Sequence, residues 1–326
     1  MLSAKGFFRL AWCCVLCCGA LNLFGAELPP PDPERIAADE KAGVKFSPDK
    51  RTLLKYPPER RYEEYVVPDG VTAIAEYAFA RCQGLARVKL PASLKTIGNC
   101  AFYECGDLLV VNIPEGVTAI GSWTFDACRN LTDVSIPASV KIIGYGAFAR
   151  CEKLKRLALP EGLLEIRDSA FADCLNLDLV IPSTVRVIGS GAFWKCYALR
   201  SLEIPAGVTA IEDHTFYACV HLTTVTIPGN VGTIGKEAFL QCENLRSLNV
   251  NAGVTSIGPE AFALCPKLVD VKLPATLAVI GNGAFARCER LTEIKLPAGI
   301  KTVGKGAFRG CPCEGTVTAQ YPDYRK

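Results

Sequence analysis

The amino-acid sequence predicts one β-rich α/β solenoid, a right-handed curved stack of about eleven short coils. Eleven of its fifteen phenylalanines recur every 23 residues, with a single step of 22. A cysteine stands three residues after each of the eleven. An extended segment that ends at a proline recurs with the same period. The repeats span residues 65–313, which leaves no boundary for a second domain.

Each phenylalanine and its cysteine are spaced to lie on one side of a single helical turn. We therefore expect a short helical turn in every coil, with both side chains in the core. The phenylalanines are Phe79, Phe102, Phe125, Phe148, Phe171, Phe193, Phe216, Phe239, Phe262, Phe285 and Phe308. The cysteines are Cys82, Cys105, Cys128, Cys151, Cys174, Cys196, Cys219, Cys242, Cys265, Cys288 and Cys311.

The segment before each proline is predicted to be a strand with one buried face. In the coil of Phe148, Val134 and Ile136 point inward, whereas Asp133 and Ser135 point outward. The proline that follows lacks the amide hydrogen that a central strand needs, so the strand ends there. Stacked coils then align their strands into a parallel sheet and their phenylalanines into a continuous spine.

A glycine four positions before most of the phenylalanines, such as Gly144, indicates a turn with positive φ or a close backbone approach. Because Ala75, Arg167 and Glu212 fill this position in three coils, we do not expect a strict left-handed requirement. The coil at residues 177–181 is one residue short, and we expect the stack to bend or rotate near residue 178.

The repeat resembles a known family. Leu85-Ala86-Arg87-Val88-Lys89-Leu90 resembles the strand segment of leucine-rich repeats, and Ile-Gly-x-x-Ala-Phe-x-x-Cys resembles the BspA-type, or treponemal, subclass. The resemblance implies a leucine-rich-repeat solenoid with a parallel sheet on the concave face and short helical turns on the other. It also implies a protein without a cofactor that binds another protein at the cell envelope or a host surface, including the extracellular matrix.

The two ends differ from the repeats. Residues 1–26 are predicted to be an export signal, because Lys5 and Arg9 precede an uncharged apolar stretch. A plain signal or an uncleaved anchor is favoured over a lipid anchor at Cys18. We expect the protein in the periplasm or at the cell surface; an uncleaved segment would anchor it through its N-terminus. We expect a proline-rich extended tether at 27–43, a hairpin cap at 44–64, and a last strand and tail at 314–326.

Composition excludes other classes of protein. Thirty-six basic and 33 acidic residues leave a net charge of +3, which argues against a nucleic-acid partner. The sequence contains two histidines, His214 and His221, without the spacing of a metal or catalytic motif. We therefore expect no enzymatic activity, metal or cofactor; an enzyme with an unrecognised motif is a remote alternative.

The cysteine column admits more than one chemistry. Stacked positions lie about 4.8 Å apart, a spacing that does not exclude disulfides. Parallel side chains, equivalent neighbours and an odd number favour buried free thiols. Convergent metal ligation is not expected from a line of cysteines. We expect Cys100 or Cys313 to be a solvent-facing thiol.

Binding of a partner protein is the favoured function, through outward side chains of the predicted strands. The alternative is a structural periplasmic envelope protein without a host partner. A second candidate surface is the turn side, with Tyr103, Trp123, Trp194, Tyr197 and Tyr217, where partial burial is an equal expectation. The candidate residues of the strand face are Arg87, Lys89, Asn112, Asp133, Ser135, Arg156, Ser201, Glu203, Thr224, Thr226, Ser247, Asn249, Asp270 and Lys272.

Overall fold

The computed structural model describes residues 30–321, so the predicted export signal and the last five residues lie outside the described part. Helices α1 (Pro33–Lys41) and α2 (Glu314–Gln320) lie at its two ends. The strands are β1 (Lys45–Phe46), β2 (Thr52–Lys55), β3 (Glu64–Val66), β4 (Ala73–Ile74), β5 (Arg87–Lys89), β6 (Thr96–Ile97), β7 (Val110–Asn112), β8 (Ala119–Ile120), β9 (Asp133–Ser135), β10 (Ile142–Ile143), β11 (Glu165–Ile166), β12 (Val187–Ile188), β13 (Ala210–Ile211), β14 (Thr224–Ile227), β15 (Thr233–Ile234), β16 (Ser247–Val250), β17 (Ser256–Ile257), β18 (Asp270–Lys272), β19 (Val279–Ile280) and β20 (Thr302–Val303).

The coils stack through two sets of parallel strands. The front ladder, predicted from the sequence, consists of β3-β5-β7-β9 and β14-β16-β18. The side ladder, which the sequence analysis missed, consists of β1-β2-β4-β6, β8-β10-β11-β12 and β13-β15-β17-β19-β20. Apart from the antiparallel hairpin β1–β2, all pairings between these strands are parallel. The predicted parallel solenoid is confirmed.

The phenylalanine spine is also confirmed. All eleven rings are fully buried, and neighbouring rings stack with centroids 4.9–5.6 Å apart and interplanar angles of 2–18°. Tyr56, from the N-terminal hairpin, extends the spine, since its ring lies 5.2 Å from that of Phe79. Each ring is buried against the rings of the adjacent coils, so this apolar burial stabilises a coil only when its neighbours are present.

The predicted turn around each phenylalanine is present, but its backbone is not helical. In every coil the residues two before and two after the phenylalanine have positive φ; Tyr77 has 55° and Arg81 has 62°. These left-handed residues disfavour a helix. The amides alternate between local bonds and bonds to the next coil: Cys82 N donates to Phe79 O at 3.1 Å, whereas Phe79 N donates to Ala101 O at 2.7 Å.

The recurrent glycine four positions before the phenylalanine is explained by close approach, one of the two expected reasons. A Cβ at Gly144 would lie 2.8 Å from the carbonyl carbon of Gly121, and one at Gly98 would lie 2.5 Å from the nitrogen of Glu76. Neither residue has positive φ. Because glycine has no side chain, the backbones of successive coils can pack tightly at this position.

The front ladder is interrupted at the shortened coil. Between β9 and β14, the pairing in the described chain is a single bridge that joins Arg156 to Asp178. The bridge places Asp178 opposite Arg156, so the residue missing from this coil is the one between its buried leucine and Asp178. The interruption coincides with the place where we expected a bend; the bend itself stays a prediction.

The N-terminal tether is not extended over its second half. Residues 33–41 form α1, whose first turn is capped by Asp32; its Oδ1 accepts from the amides of Glu34 and Arg35, each at 3.1 Å. Pro33 is tolerated because the first helical amides lack an intrahelical acceptor. Asp39 of α1 is buried and accepts from the Tyr65 hydroxyl at 2.8 Å, which ties the helix to β3. The predicted hairpin is confirmed as β1–β2.

The predicted C-terminal strand is wrong, because residues 314–320 form α2. The β-branched residues Thr316, Val317 and Thr318 favour a strand by propensity, but tertiary packing decides the conformation of such a short segment. Val317 is buried against the last coil, and the Cys313 amide before the helix donates to Leu291 O at 3.1 Å. The helix thus covers apolar surface that a further coil would otherwise cover.

Candidate functional site

The outward side chains of the front ladder form a face with two columns, and we call it the front face. The first column runs through Arg87, Val110 and Asp133, which are paired in register. The second column passes through Asn112 and Ser135, which are also paired. Because residues two apart on a strand point the same way, each coil contributes one side chain to each column. Strand pairing aligns the predicted candidates of β5, β7 and β9, and separately those of β14, β16 and β18, whereas Ser201 and Glu203 belong to no named strand.

The N-terminal part of the front face is charged and internally paired. Arg87 Nη1 lies 2.9 Å from Glu63 Oε1, and Lys89 Nζ lies 2.7 Å from Glu64 Oε1. The hydrogen bond from Lys89 lowers the pKa of the Glu64 carboxyl below its ordinary value. These pairs are solvent-exposed, so they contribute little to stability. They hold the two basic side chains over the first coil.

The C-terminal part of the front face carries hydroxyl and amide groups. Thr224 and Thr226 of β14 are exposed, whereas Ser247 and Asn249 of β16 are half-buried. Ser247 Oγ donates to Asp270 Oδ2 at 3.2 Å. This part therefore offers donors and acceptors with fewer charges than the N-terminal part.

Asn251, which replaces the strand-ending proline, has a local reason. Its amide donates to Ile227 O at 2.9 Å, a bond that proline cannot make. Its side-chain Oδ1 also accepts from Asn249 Nδ2 at 3.2 Å. Asparagine at this position thereby extends the strand pairing to the residue at which proline ends the strand in other coils.

The middle of the front face lies in the interruption. Arg156, Ser201 and Glu203 are exposed there, outside the named strands. Val180 occupies the second column in the shortened coil and is 70% exposed. The sequence analysis omitted Val180 because it assigned no outward positions in the shortened coil; alignment backwards from Pro182 would have placed Val180 on this face.

The cysteine column consists of buried thiols that are free in the described structure. Ten of them donate to the carbonyl oxygen of the phenylalanine in the preceding coil, with Sγ···O distances of 2.9–3.5 Å. Burial raises the pKa of thiols such as Cys128 and Cys219. The neutral thiol is therefore the stable form, which disfavours nucleophilic and metal-binding chemistry.

The expectation of a solvent-facing thiol is wrong. Cys100 and Cys313 are 6% and 2% exposed. Cys313 lies beneath the start of α2, and its hydrogen bond with Cys311 raises its pKa. Across residues 30–321, no three or more histidine, cysteine or acidic side chains are grouped so as to hold a metal ion.

The two histidines lie apart from the front face. His214 Nε2 is 3.3 Å from Glu237 Oε2, and its ring stacks at 5.8 Å on the indole of Trp194. His221 Nδ1 lies 2.6 Å from the carbonyl oxygen of Tyr197. Each imidazole thus contacts groups of neighbouring coils and has a packing role.

The turn-side aromatics combine packing with exposure. Trp194 also lies 5.2 Å from the ring of Tyr217. Trp123 and Trp194 are 48% and 38% exposed, while Tyr103, Tyr197 and Tyr217 are half-buried. Partial burial between neighbouring turns, one of the two expectations for this surface, therefore describes the structure.

Comparisons with known proteins identify a family profile and solved structures that are similar to this chain. The profile of the BspA-type leucine-rich repeat region matches residues 59–178, 177–288 and 255–320. The chain is similar to a leucine-rich repeat protein from Bacteroides ovatus, at 28% identity over 82% of this chain and 80% of that one, with a TM-score of 0.56. It is also similar to a leucine-rich cell surface protein from Faecalibacterium prausnitzii, at 26% identity over 82% and 84%, with a TM-score of 0.54.

A more distant similarity concerns the fold alone. The pneumococcal vaccine antigen PcpA is 20% identical over 82% of this chain and 68% of its own, with a TM-score of 0.50. The search of curated proteins found no match. Within residues 30–321, no helix has the length and apolar character needed to cross a membrane.

Proposed function

Because this chain belongs to the BspA-type leucine-rich repeat family, we propose that it is an exported, non-enzymatic scaffold that binds another protein through its front face. The partner is a protein of the cell envelope or of a host surface, including the extracellular matrix. The repeat fold is shared with proteins of this family, whereas the choice of partner depends on side chains that vary between coils.

The observation that carries this proposal is the alternation of buried and exposed side chains along the strands of the front ladder. In β14, Val225 is fully buried, whereas its neighbours Thr224 and Thr226 are exposed, and no described side-chain hydrogen bond or ion pair involves the two threonines. Groups that are rigidly placed and free of internal partners can contact a partner with little loss of internal stability.

Two observations support a location outside the cytoplasm. The N-terminal sequence has the character of an export signal, and the similar Faecalibacterium protein is described as a cell surface protein. Protease treatment of intact cells separates surface display from the alternative, a structural protein that stays in the periplasm. Degradation on intact cells is the expected result; protection until the outer membrane is broken contradicts display.

Cross-linked capture with the full chain, followed by mass spectrometry, tests the binding function. Thr224→Arg combined with Thr226→Glu should abolish capture of the specific partner without changing the melting temperature, because both side chains are exposed. The matched control is Thr209→Arg with Thr233→Glu, which places the same charges on exposed threonines along the side ladder. Equal capture by both double variants contradicts binding through the front face.

A further inference from the structure

The interrupted middle of the front face contains a groove. It has a volume of about 830 Å³ and is lined by residues of three successive coils, from Asp133 to Pro182. Its position follows from the one-residue deletion, since the front ladder loses regular pairing there. The groove therefore lies where regular strand pairing is interrupted, and its volume is large enough for a few side chains.

The floor of the groove is apolar. Val180 projects into solvent, with Ala158 beside it in the second column, and Leu157, Leu159 and Leu179 complete the lining. On the strands next to the interruption, the corresponding positions are Ser135 and Thr226, which are polar. A valine that is 70% exposed, between strands whose corresponding residues are polar, is typical of a contact site.

The rim is acidic. Asp133, Glu161 and Asp178 line the groove together with a single cation, Arg156, whose backbone is bridged to that of Asp178. None of the ion pairs within residues 30–321 includes any of these four side chains. Three carboxylates against one guanidinium leave a net negative rim that favours a basic ligand group.

We infer that this groove is the primary contact site for an extended segment of the partner protein that carries a basic and an apolar side chain two positions apart. Asp178 and Val180 are themselves two positions apart, so an extended segment alongside them repeats their spacing of about 7 Å. Its basic group faces Asp133 and Asp178, and its apolar group covers Val180. This inference rests on the proposed function and specifies the partner of the same face.

A library of displayed 12-residue peptides, selected on the full chain, provides the probe. We expect enrichment of sequences with lysine or arginine two positions from a valine, leucine or isoleucine. Absence of enrichment over an unrelated protein, or enrichment of acidic sequences, overturns the inference. Fluorescence anisotropy of the enriched peptide then gives its Kd at low and high salt.

Two variants locate the peptide. Val180→Ser should weaken binding about fivefold, and Asp133→Asn with Glu161→Gln should weaken it about threefold and reduce its salt dependence. The controls are Val269→Ser, which alters another exposed valine, and Glu289→Gln with Glu293→Gln, which removes two exposed charges elsewhere. Unchanged affinity in the groove variants, or equal losses in the controls, overturns the inference.

Sedimentation identifies a different occupant. A dimer of the full chain that Val180→Ser dissociates would assign the groove to a second copy and overturn the inference. The test of the proposed function is read separately. If partner capture depends on Thr224 and Thr226 but not on Val180, only the inference about the groove is refuted. Capture that depends on neither position refutes both.

Discussion

Replacement of Phe193 by alanine removes one ring from the middle of the spine, next to the shortened coil. The ring is fully buried between Phe171 and Phe216, whose centroids lie 5.6 and 5.5 Å away. A buried phenylalanine-to-alanine change costs about 3–5 kcal/mol. Loss of two stacked pairs, each contributing about 0.5–1.5 kcal/mol, falls within that range. We therefore expect destabilisation of this size.

Urea unfolding followed by circular dichroism measures the effect. With an m-value of about 3 kcal/mol/M, the midpoint should fall by about 1–1.7 M. Because coils contact only their neighbours, a central defect can also split the transition into two, so both midpoints are fitted.

The control for this variant is Phe308→Ala, at the end of the spine. Phe308 is equally buried, and its ring stacks on that of Phe285 at 5.4 Å. We expect a single transition, because the residues that follow form α2, so the loss of this ring does not divide the described stack of coils. A midpoint for Phe193→Ala within about 0.3 M of the unmodified protein would refute a continuous spine that stabilises the centre.

Two further predictions concern backbone contact and thiol chemistry. Gly258→Ala should destabilise the protein by about 1–3 kcal/mol, because its Cβ would lie 2.6 Å from the carbonyl carbon of Gly235. Gly315→Ala in α2, where no atom lies within 4 Å of the added Cβ, should instead stabilise by about 0.5–1 kcal/mol; a thermal melt in which both variants shift alike contradicts the close-approach argument. The ten hydrogen-bonded thiols should resist iodoacetamide in the folded chain and react fully in denaturant, as counted by intact mass; fast labelling of the native chain, or a shortfall of denatured labelling that reduction restores, contradicts buried free thiols.

The sequence predicts those parts of the fold in which a regular spacing of apolar residues shows which side chains face the core. The phenylalanine spine and front ladder follow from such periods. The turn around Phe148 was misassigned because a spacing of three fits both a helical turn and a chain that alternates through left-handed residues. The side ladder was missed because strands of two residues, such as Thr96–Ile97, are too short to show alternation.

The ends and the groove were harder to predict for a different reason. Residues 33–41 and 314–320 adopt conformations set by what they cover, and local propensity does not record that contact. Most candidate side chains of the front face could be chosen from their alternation alone. Val180 required the shortened coil to be aligned backwards from Pro182, because a one-residue deletion shifts the alignment by half a strand period and reverses inside and outside.

Both ladders direct their hydrogen bonds along the long axis of the stack, and this has a mechanical consequence. A force that pulls the two ends apart stretches those hydrogen bonds. Because the coil interfaces are loaded in series, the weakest interface sets the force at which the stack begins to open. Each coil that peels away releases 23 residues, or about 75 Å of extended chain. We therefore expect the stack to lengthen in steps when it is pulled from its two ends.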